Sequence, residues 1–395
     1  MAKLTVKDLG DLHGVSVFVR VDYNVPIEGG AITDDTRIRA SVPTLEHLVN
    51  AGARLVLASH LGRPKKGPDP ALSLRPAAQR LSELMGRPVP MAPDCIGPEV
   101  ERLANGLSDG GLLLLENVRF HKEEEANDPE FAARLVRDSG ATVFVNDAFG
   151  SAHRAHASTE GVSHHVKTSV AGLLMEKELR YLGMALEAPE HPFVAILGGA
   201  KVSDKIQVIE SLLPRVDALL VGGGMAYTFL RAQGLPTGKS LVEEDKLELA
   251  RELLAKSRGK IRLPVDHVVA AAFKEDAEHR TLGVSEIPDG WMGLDIGPAT
   301  ARSFAGEAGK ALLALWNGPM GVFEMKPFAE GTLAIARALA ESQGTTIVGG
   351  GDSVAAVSRM GLADRIDHVS TGGGASLEFL AGDPLPGVAC LQDRA

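Results

Sequence analysis

Short runs of consecutive apolar residues recur along the chain, and each is followed by a turn and then a helical pattern. They lie at 15–22, 53–60, 111–118 and 141–148 in the first half, and at 193–199, 217–224, 267–273, 311–319, 345–351 and 367–374 in the second. Runs that are continuous rather than alternating are typical of strands buried on both faces of a parallel sheet. Strands interleaved with helices predict an α/β fold with open, doubly wound sheets.

A charged amphipathic pattern at 173–188 separates the two sets of runs and ends before Pro189. We interpret it as a long helix that joins two doubly wound, Rossmann-like domains with parallel sheets, at 1–172 and 189–374. The length of 395 residues fits this division, since each half is long enough to bury its own core.

Composition narrows the functional class. The net charge of −10 argues against a general binder of nucleic acid or of acidic membranes. The two cysteines, Cys95 and Cys390, fit a reducing compartment and predict no disulfide framework. No apolar run approaches the ~20 residues needed to cross a bilayer, and the first ten residues lack an apolar signal core. We therefore expect a cytoplasmic protein.

The strand ends of the second half are rich in glycine. They read "LGGAKVSDK", "VGGGMAY", "VGGGDSV" and "STGGGAS". Glycine allows close approach of the backbone to a phosphate, and the helix that follows offers free N–H groups and the positive end of its dipole. A single junction of this kind is equally compatible with a tight turn. Four of them in one domain predict a nucleotide or polyphosphate site.

The strand ends of the first half are polar and basic. They carry Arg37, Arg63, Arg119 and Arg154, together with His60. Ligands of open α/β sheets bind beyond the carboxyl ends of the strands, and guanidinium groups match phosphate and carboxylate oxygens. We predict a small, strongly anionic substrate here. Any one arginine could instead pair with a surface carboxylate, and we assign Arg39 to that role.

Two further features bear on phosphate chemistry. Lys201 and Lys205 lie four residues apart at the start of a predicted helix, where they oppose its dipole unless a phosphate compensates them. A solvated helix face is the alternative. Asp352 follows three glycines and could either cap its helix or hold a magnesium ion.

Other motifs are weaker. "HRAH" at 153–156 lacks the glutamate and cysteine partners of zinc sites, so we predict no transition metal. No Ser-His-Asp set and no GxGxxG after the first strand is present. "GLPTGKS" at 234–240 has one residue too few for a P-loop and follows a helical pattern, so we expect a helix end at Gly234 and an exposed loop at Lys239 and Ser240.

Eight segments together resemble the phosphoglycerate kinase family, in that family's order and over nearly the whole chain. They are "RVDYNVP", "SHLGRP", "ENVRF", "AHRAHAS", "LGGAKVSDKI", "WNGPMGVFE", "GGGDS" and "STGGGASLE". The chain differs mildly at Tyr23, where the family commonly has phenylalanine, and at Ser353, where threonine is frequent.

The resemblance implies two sites. The positions that match the acid-substrate site are Asp22, Asn24, Arg37, His60, Arg63, Arg119 and Arg154. Those that match the nucleotide site are Gly199, Ala200, Lys205, Gly223, Gly293, Asn317, Pro319, Val322, Glu324, Gly350, Gly351, Asp352 and Ser353, with Asp352 holding Mg²⁺ bound to the nucleotide. The resemblance assigns the transferring phosphate to Arg37, Lys201, Gly373 and Gly374.

By the same resemblance, 1,3-bisphosphoglycerate and ADP react reversibly to 3-phosphoglycerate and ATP, without a general base or phosphoenzyme. It further implies hinge bending, a monomer, and a segment 375–395 that returns to the first domain. Two alternatives stay open: a kinase for another small carboxylate, which would not need all four arginines, and a non-catalytic nucleotide-binding protein, which could dispense with Lys201 or Arg37.

Overall fold

A computed structural model describes residues 3–394. These residues form two compact units, an N-terminal unit of residues 3–179 with 384–394, and a central unit of residues 180–383. Within the described part of the chain, no helix is long and apolar enough to cross a membrane.

The N-terminal unit alternates strands and helices. Its strands are β1 (Ser16–Arg20), β2 (Ile27–Glu28), β3 (Ala31–Ile32), β4 (Arg54–Ala58), β5 (Leu112–Leu114), β6 (Val143–Asn146) and β7 (Thr168–Ala171). Its α-helices are α1 (Thr36–Asn50), α2 (Arg75–Met85), α3 (Pro98–Asn105), α4 (Pro129–Ser139) and, in the segment 384–394, α13 (Pro386–Ala389). Helix α5 (Leu173–Leu186) begins in this unit and ends in the central one.

Within residues 3–179, five strands form a parallel sheet in the order β5-β4-β1-β6-β7. Val19 of β1 lies opposite Leu57 on one side and Val145 on the other, and all three are fully buried. Burial on both faces explains why the sequence runs are continuously apolar. The strands β2 and β3 form a small antiparallel hairpin before α1.

The central unit repeats the plan with different elements. Its strands are β8 (Phe193–Leu197), β9 (Ala218–Val221), β10 (Ile261–Arg262), β11 (Asp266–Ala270), β12 (His279–Gly283), β13 (Met292–Ile296), β14 (Leu313–Asn317), β15 (Thr345–Gly349) and β16 (His368–Val369). Its helices are α6 (Ile206–Leu212), α7 (Met225–Ala232), α8 (Leu247–Ser257), α9 (Pro298–Ala308), α10 (Glu330–Ala340), α11 (Gly351–Arg359) and α12 (Gly374–Ala381).

Six of these strands form a second parallel sheet within residues 180–383, in the order β10-β9-β8-β14-β15-β16. Its core surrounds Trp316, whose indole nitrogen donates to the carbonyl oxygen of Gly318 at 2.7 Å. The predicted α/β class with parallel sheets is therefore confirmed.

The apolar run at 267–273 is the exception. It is β11, and it pairs antiparallel with β12 and β13 in a separate three-stranded sheet of the described central unit. Parallel neighbours need a crossover of about a dozen residues or more. The connection at 271–278 between β11 and β12 is too short for one, so the chain turns back on itself.

Several strands carried too weak a signal to be predicted. They are the two-residue strands β2, β3 and β10, the short edge strand β7, and β12 and β13 beside β11. Helix α5 is observed where the helical pattern at 173–188 predicts one.

The last part of the chain divides between the units. Helix α12 packs against α6 inside the central unit. Residues 384–394 belong to the N-terminal unit, where the Asn146 side chain donates to the carbonyl oxygen of Gly387 at 2.8 Å.

Candidate functional site

In the N-terminal unit, basic side chains gather beyond the carboxyl ends of the parallel strands. The loops after β1, β4, β5 and β6 carry Asp22, Asn24, His60, Arg63, Arg119 and Arg154, and Arg37 is the second residue of α1. Since these four strands are neighbours in the sheet, their loops share one edge. The predicted residues are thus placed on the edge where ligands of such sheets bind.

Arg37 is held by the loop after β1. Its Nη1 donates to the carbonyl oxygen of Asn24 at 2.9 Å and lies 3.3 Å from Oδ2 of Asp22. The side-chain oxygen of Asn24 in turn accepts from the backbone N–H of Gly62 at 2.9 Å, which ties the loops after β1 and β4 together. The guanidinium is therefore oriented before any ligand arrives, while part of its side chain stays exposed.

Arg119 connects the loop after β5 to the loops after β1 and β4. Its Nη1 donates to the carbonyl oxygen of Gly62 at 2.9 Å, and its Nε lies 3.2 Å from Oε1 of Glu125. The side chain is almost fully buried, and burial lowers the pKa of its guanidinium, although the nearby Glu125 opposes this effect.

His60 lies at the centre of the positive charges. Burial first, and then the charges of Arg20, Arg119 and Arg37, hold the pKa of His60 well below its ordinary value. The imidazole is consequently neutral at physiological pH. The same pattern extends to His156, where burial and the arginines lower the pKa to about 4.

A buried network that the motifs did not predict supports His60. Arg20, the last residue of β1, lies 3.0 Å from Nδ1 of His60 and donates from Nε to Oγ of Ser158 at 2.8 Å. The Ser158 hydroxyl donates to Glu124 at 2.6 Å. An arginine at the end of an otherwise apolar strand needs a buried partner. The position of Arg20 at the end of β1 was therefore the feature of the sequence that could have indicated this network.

The remaining basic residues differ in how they are held. Arg63 is exposed on the loop after β4. Arg154 donates from Nε to Nε2 of its neighbour His153 at 3.1 Å, and its charge acts on both Arg119 and His156. Arg39 pairs with Asp35 at 2.8 Å on the surface, as expected for an arginine outside the cluster.

In the central unit, the glycine-rich strand ends surround a cavity of about 480 Å³. Its lining contains Gly199, Ala200, Gly223, Gly293, Pro319, Val322, Glu324 and Asp352, which are eight of the residues assigned to nucleotide. A cavity of this size accommodates a small-molecule cofactor.

Glycine is required at Gly223 and Gly293 for steric reasons. Gly223 adopts a φ of +65°, and a Cβ there would lie 2.6 Å from the backbone nitrogen and oxygen of Gly199. At Gly293, a Cβ would lie 1.7 Å from the hydroxyl oxygen of Tyr227. These close approaches keep backbone, rather than side chains, at the cavity wall.

Lys205, Asn317, Gly350 and Ser353 meet beside the cavity. The Lys205 ammonium donates to Oδ1 of Asn317, and burial lowers the pKa of Lys205 to about 8. The Asn317 amide nitrogen is buried and has no hydrogen-bond partner among the described residues. Oγ of Ser353 accepts from the backbone N–H of Gly318 at 2.6 Å. A buried amide donor without a partner needs a hydrogen-bond acceptor, and an oxygen atom of a bound ligand would supply one.

Two helices begin at the glycine junctions. Gly351 and Asp352 form the first turn of α11, after Gly350 with a φ of +85°. Gly374 begins α12, after Gly373 with a φ of +46°. Lys201 is exposed on the loop that precedes α6. Free N–H groups at helix starts suit anions.

The apolar wall of the cavity was not predicted. It is built by Tyr227, Leu241, Phe273, Met292 and Leu294, of which Leu241 and Phe273 are exposed. Part of it belongs to the antiparallel sheet, so the error in the direction of β11 concealed this wall. A broad apolar surface beside glycine-rich turns suits a nucleotide base.

The stretch "GLPTGKS" is not a phosphate loop. Helix α7 ends at Ala232, and Gly234 follows with a φ of +83°, as expected. Ser240, however, is buried and accepts from the backbone N–H of Gly293 at 2.9 Å, so it does not lie on an exposed loop. Lys239 is exposed and lines the cavity.

Comparison with known proteins gives one consistent result. The family model for phosphoglycerate kinase matches residues 6–383. The chain is 60% identical to a phosphoglycerate kinase of Moorella thermoacetica over 397 residues, all of both chains, and 61% identical to a cytosolic one of Triticum aestivum over 400 residues, 99% of each. A solved phosphoglycerate kinase of Coxiella burnetii is similar with a TM-score of 0.89 at 41% identity, covering 98% of each chain.

Proposed function

Since the chain belongs to the phosphoglycerate kinase family, we propose that it transfers a phosphoryl group reversibly from 1,3-bisphosphoglycerate to ADP, giving 3-phosphoglycerate and ATP. One observation supports this most directly. The same chain carries an arginine cluster at the strand ends of one unit and a glycine-lined cavity with an apolar wall in the other. The first suits a small polyanion and the second a nucleotide, so the pair fits a glycolytic kinase.

The acid substrate binds to the arginine cluster. Arg63, Arg119 and Arg154 bind its phosphate oxygens together with neutral His60. Asp22 and Asn24 orient its hydroxyl group, and they also hold Arg37 in place. Because four guanidiniums face one ligand, 3-phosphoglycerate, which carries both a carboxylate and a phosphate, binds better than a small carboxylate that lacks the phosphate.

The nucleotide binds in the cavity of the central unit. Its base packs on the apolar wall beside Gly293, Pro319 and Val322, and Glu324 accepts from the ribose hydroxyls. Lys205 and Asn317 hold phosphate oxygens together with the backbone at Gly199, Ala200 and Gly223. Gly350, Gly351 and Ser353 shape the turn that begins α11.

Magnesium is the metal of this reaction, and Asp352 is the residue that would hold it. The carboxylate lines the cavity and is exposed to it, and hard oxygen ligands are those that Mg²⁺ prefers. When bound, Mg²⁺ neutralises phosphate charge on the nucleotide. We propose that the phosphoryl transfer itself uses no transition-metal cofactor.

The chemical step breaks the bond between phosphorus and the acyl oxygen and forms one to the β-phosphate oxygen of ADP. The electron pair of the broken bond stays on a carboxylate, which is already ionised at pH 7, so no general base or acid is needed. Arg37 and Lys201 neutralise the equatorial oxygens as charge shifts. Gly373 and Gly374 offer backbone N–H groups at the start of α12.

We further propose the functional organisation of the chain. Residues 1–172 bind the acid substrate, 189–374 bind nucleotide, and the helix at 173–188 connects them. Of the segment 375–395, only the part that begins at residue 384 returns to the first domain, because α12 packs in the central unit. In-line transfer without a phosphoenzyme then requires hinge bending. We also propose a cytoplasmic monomer that binds neither nucleic acid nor membrane.

The direct test is a coupled assay of ATP consumption with purified protein, 3-phosphoglycerate and Mg²⁺. We expect turnover with 3-phosphoglycerate and none with a small carboxylate that lacks the phosphate. If 3-phosphoglycerate gives no turnover while ADP still binds, the protein is a nucleotide-binding protein of another function.

A further inference from the structure

A mixed group of metal-ligand side chains lies in the N-terminal unit, apart from the residues assigned to substrate. Among the described residues, Asp94, Cys95 and His121 are the one group of histidine, cysteine and carboxylate side chains whose ligand atoms lie within 4.8 Å of one another. They supply one oxygen, one sulfur and one nitrogen atom. The motifs in the sequence assign them no role.

The fold explains why these three residues meet. Residues 91–94 run alongside β5, where Ala92 donates its N–H to the carbonyl oxygen of Leu114 at 2.9 Å. The chain leaves β5 through a short helical turn at Val118–Phe120, and His121 follows it directly. The histidine therefore returns beside the end of the neighbouring segment, although 26 positions separate it from Cys95.

Two donors already converge on one carboxylate. Nε2 of His121 lies 2.7 Å from Oδ1 of Asp94, and the backbone N–H of Cys95 donates to the same oxygen at 2.6 Å. The imidazole ring also packs against Phe131 at 5.3 Å between centroids, which fixes the direction of Nε2. Ligand atoms around a tetrahedral Zn²⁺ are separated by about 3.3–3.8 Å, so only small movements are needed to admit the ion.

From this geometry we propose that Asp94, Cys95 and His121 bind a divalent transition-metal ion of the zinc type. Thiolate and imidazole ligands select such ions, whereas Mg²⁺ and Ca²⁺ require oxygen ligands. A thiolate and a carboxylate together neutralise the two charges of the ion. Binding releases the thiol proton, since the thiolate is the ligand.

The site has an entry path and an open position. Cys95 is fully buried, whereas 27% of the His121 side chain and 48% of the Asp94 side chain are exposed. The ion therefore reaches the sulfur from the solvent side, between the imidazole and the carboxylate. Three protein ligands leave the fourth tetrahedral position to water or to an exogenous ligand.

Cobalt is the sharpest probe, because a thiolate bound to Co²⁺ gives a charge-transfer absorption band that imidazole and carboxylate ligands do not. The full chain is titrated with Co²⁺ under reducing conditions without nucleotide. We expect one equivalent of Co²⁺ to produce the band, Zn²⁺ to abolish it by displacement, and excess Mg²⁺ to leave it unchanged.

The two cysteines of the chain provide a matched pair of variants. Cys95→Ser should abolish the band, and Cys390→Ser should retain it with unchanged affinity. His121→Gln alters a partly exposed residue and should weaken Co²⁺ binding about tenfold or more. The proposal is overturned if no band forms in the wild-type protein, if the band depends on Cys390, or if His121→Gln binds Co²⁺ as the wild type does.

Discussion

The guanidinium of Arg20 lies 3.0 Å from Nδ1 of His60, and both side chains are buried. Because a guanidinium only donates hydrogen bonds, Nδ1 is the acceptor and the ring proton is carried by Nε2. The lowered pKa of His60 keeps the ring neutral. Arg20 thus selects the tautomer with which His60 can donate to an anionic substrate.

Replacing Arg20 by methionine should lower the free energy of unfolding by about 3–5 kcal/mol, because Glu124 is left buried without its cation. Urea unfolding measures this loss. The double variant Arg20→Met with Glu124→Gln should be more stable than Arg20→Met alone, since no unpaired charge remains. Additive losses in the double variant would show that the two residues are not coupled.

Arg37→Ala should lower kcat by about 100-fold while the KM for ADP changes little, because the guanidinium acts on charge that develops during transfer. Steady-state kinetics in both directions measure the effect. Arg39→Ala is the matched control on the same helix, and its surface pair with Asp35 predicts wild-type kinetics. An unchanged kcat for Arg37→Ala would remove Arg37 from the transferring phosphate.

Gly293→Ala should weaken ADP binding about tenfold or more, since its Cβ would displace Tyr227 from the cavity wall. Calorimetric titration with ADP tests this prediction. Gly290→Ala is the control, because a Cβ at Gly290 has no atom within 4 Å. Both variants should bind 3-phosphoglycerate normally, and a selective loss of that ligand would contradict the assignment of the cavity to nucleotide.

Asp295 predicts a dependence of stability on pH. Burial raises the pKa of this carboxyl group to about 7, although the backbone N–H groups of Gly331 and Ile296 oppose the shift. The pKa of Asp295 is higher in the folded than in the unfolded chain. Its contribution to the free energy of unfolding is therefore fully present below about pH 4 and is lost as pH rises to about 7. It amounts to at most about 4 kcal/mol.

The test for Asp295 compares the wild type with Asp295→Asn, which cannot ionise. The free energy of unfolding of the wild type, relative to the variant, should fall as pH rises through this window and then level off. A difference that stays constant with pH would show that folding does not raise the pKa of Asp295.

Asp352→Asn should reduce the effect of Mg²⁺ on ADP affinity, because the carboxylate that holds the ion is lost. Calorimetry measures the ADP affinity with and without Mg²⁺. The factor by which Mg²⁺ raises this affinity should be about tenfold smaller in the variant than in the wild type. Asp364→Asn, on a short helical turn farther along the chain, serves as the control. An undiminished Mg²⁺ effect in Asp352→Asn would place the ion elsewhere.

The residues that sequence reasoning could place are those whose chemistry is local. Glycine before a helix start, as at Gly350, and arginine after a buried strand, as at Arg119, are visible in single short segments. Such segments also predicted the parallel strands, because burial on both faces leaves a continuous apolar run.

The residues that sequence reasoning missed depend on pairing between distant segments. The residues next to Arg20 in the sequence do not predict its contact with Ser158 or its proximity to Glu124. Those next to Gly293 do not predict its close approach to Tyr227. The direction of β11 was likewise decided by the short connection that follows it rather than by its own apolar residues. The site at Asp94, Cys95 and His121 was missed for the same reason.

The segment 384–394 gives the chain an unusual order of assembly. Gln392 accepts at its carbonyl oxygen from the N–H of Leu4, and donates its own N–H to Ser169 of β7. During synthesis the N-terminal unit emerges first, yet it lacks these contacts until the whole central unit has been made. The unit that the ribosome begins is therefore completed last, and the central unit can finish folding before it.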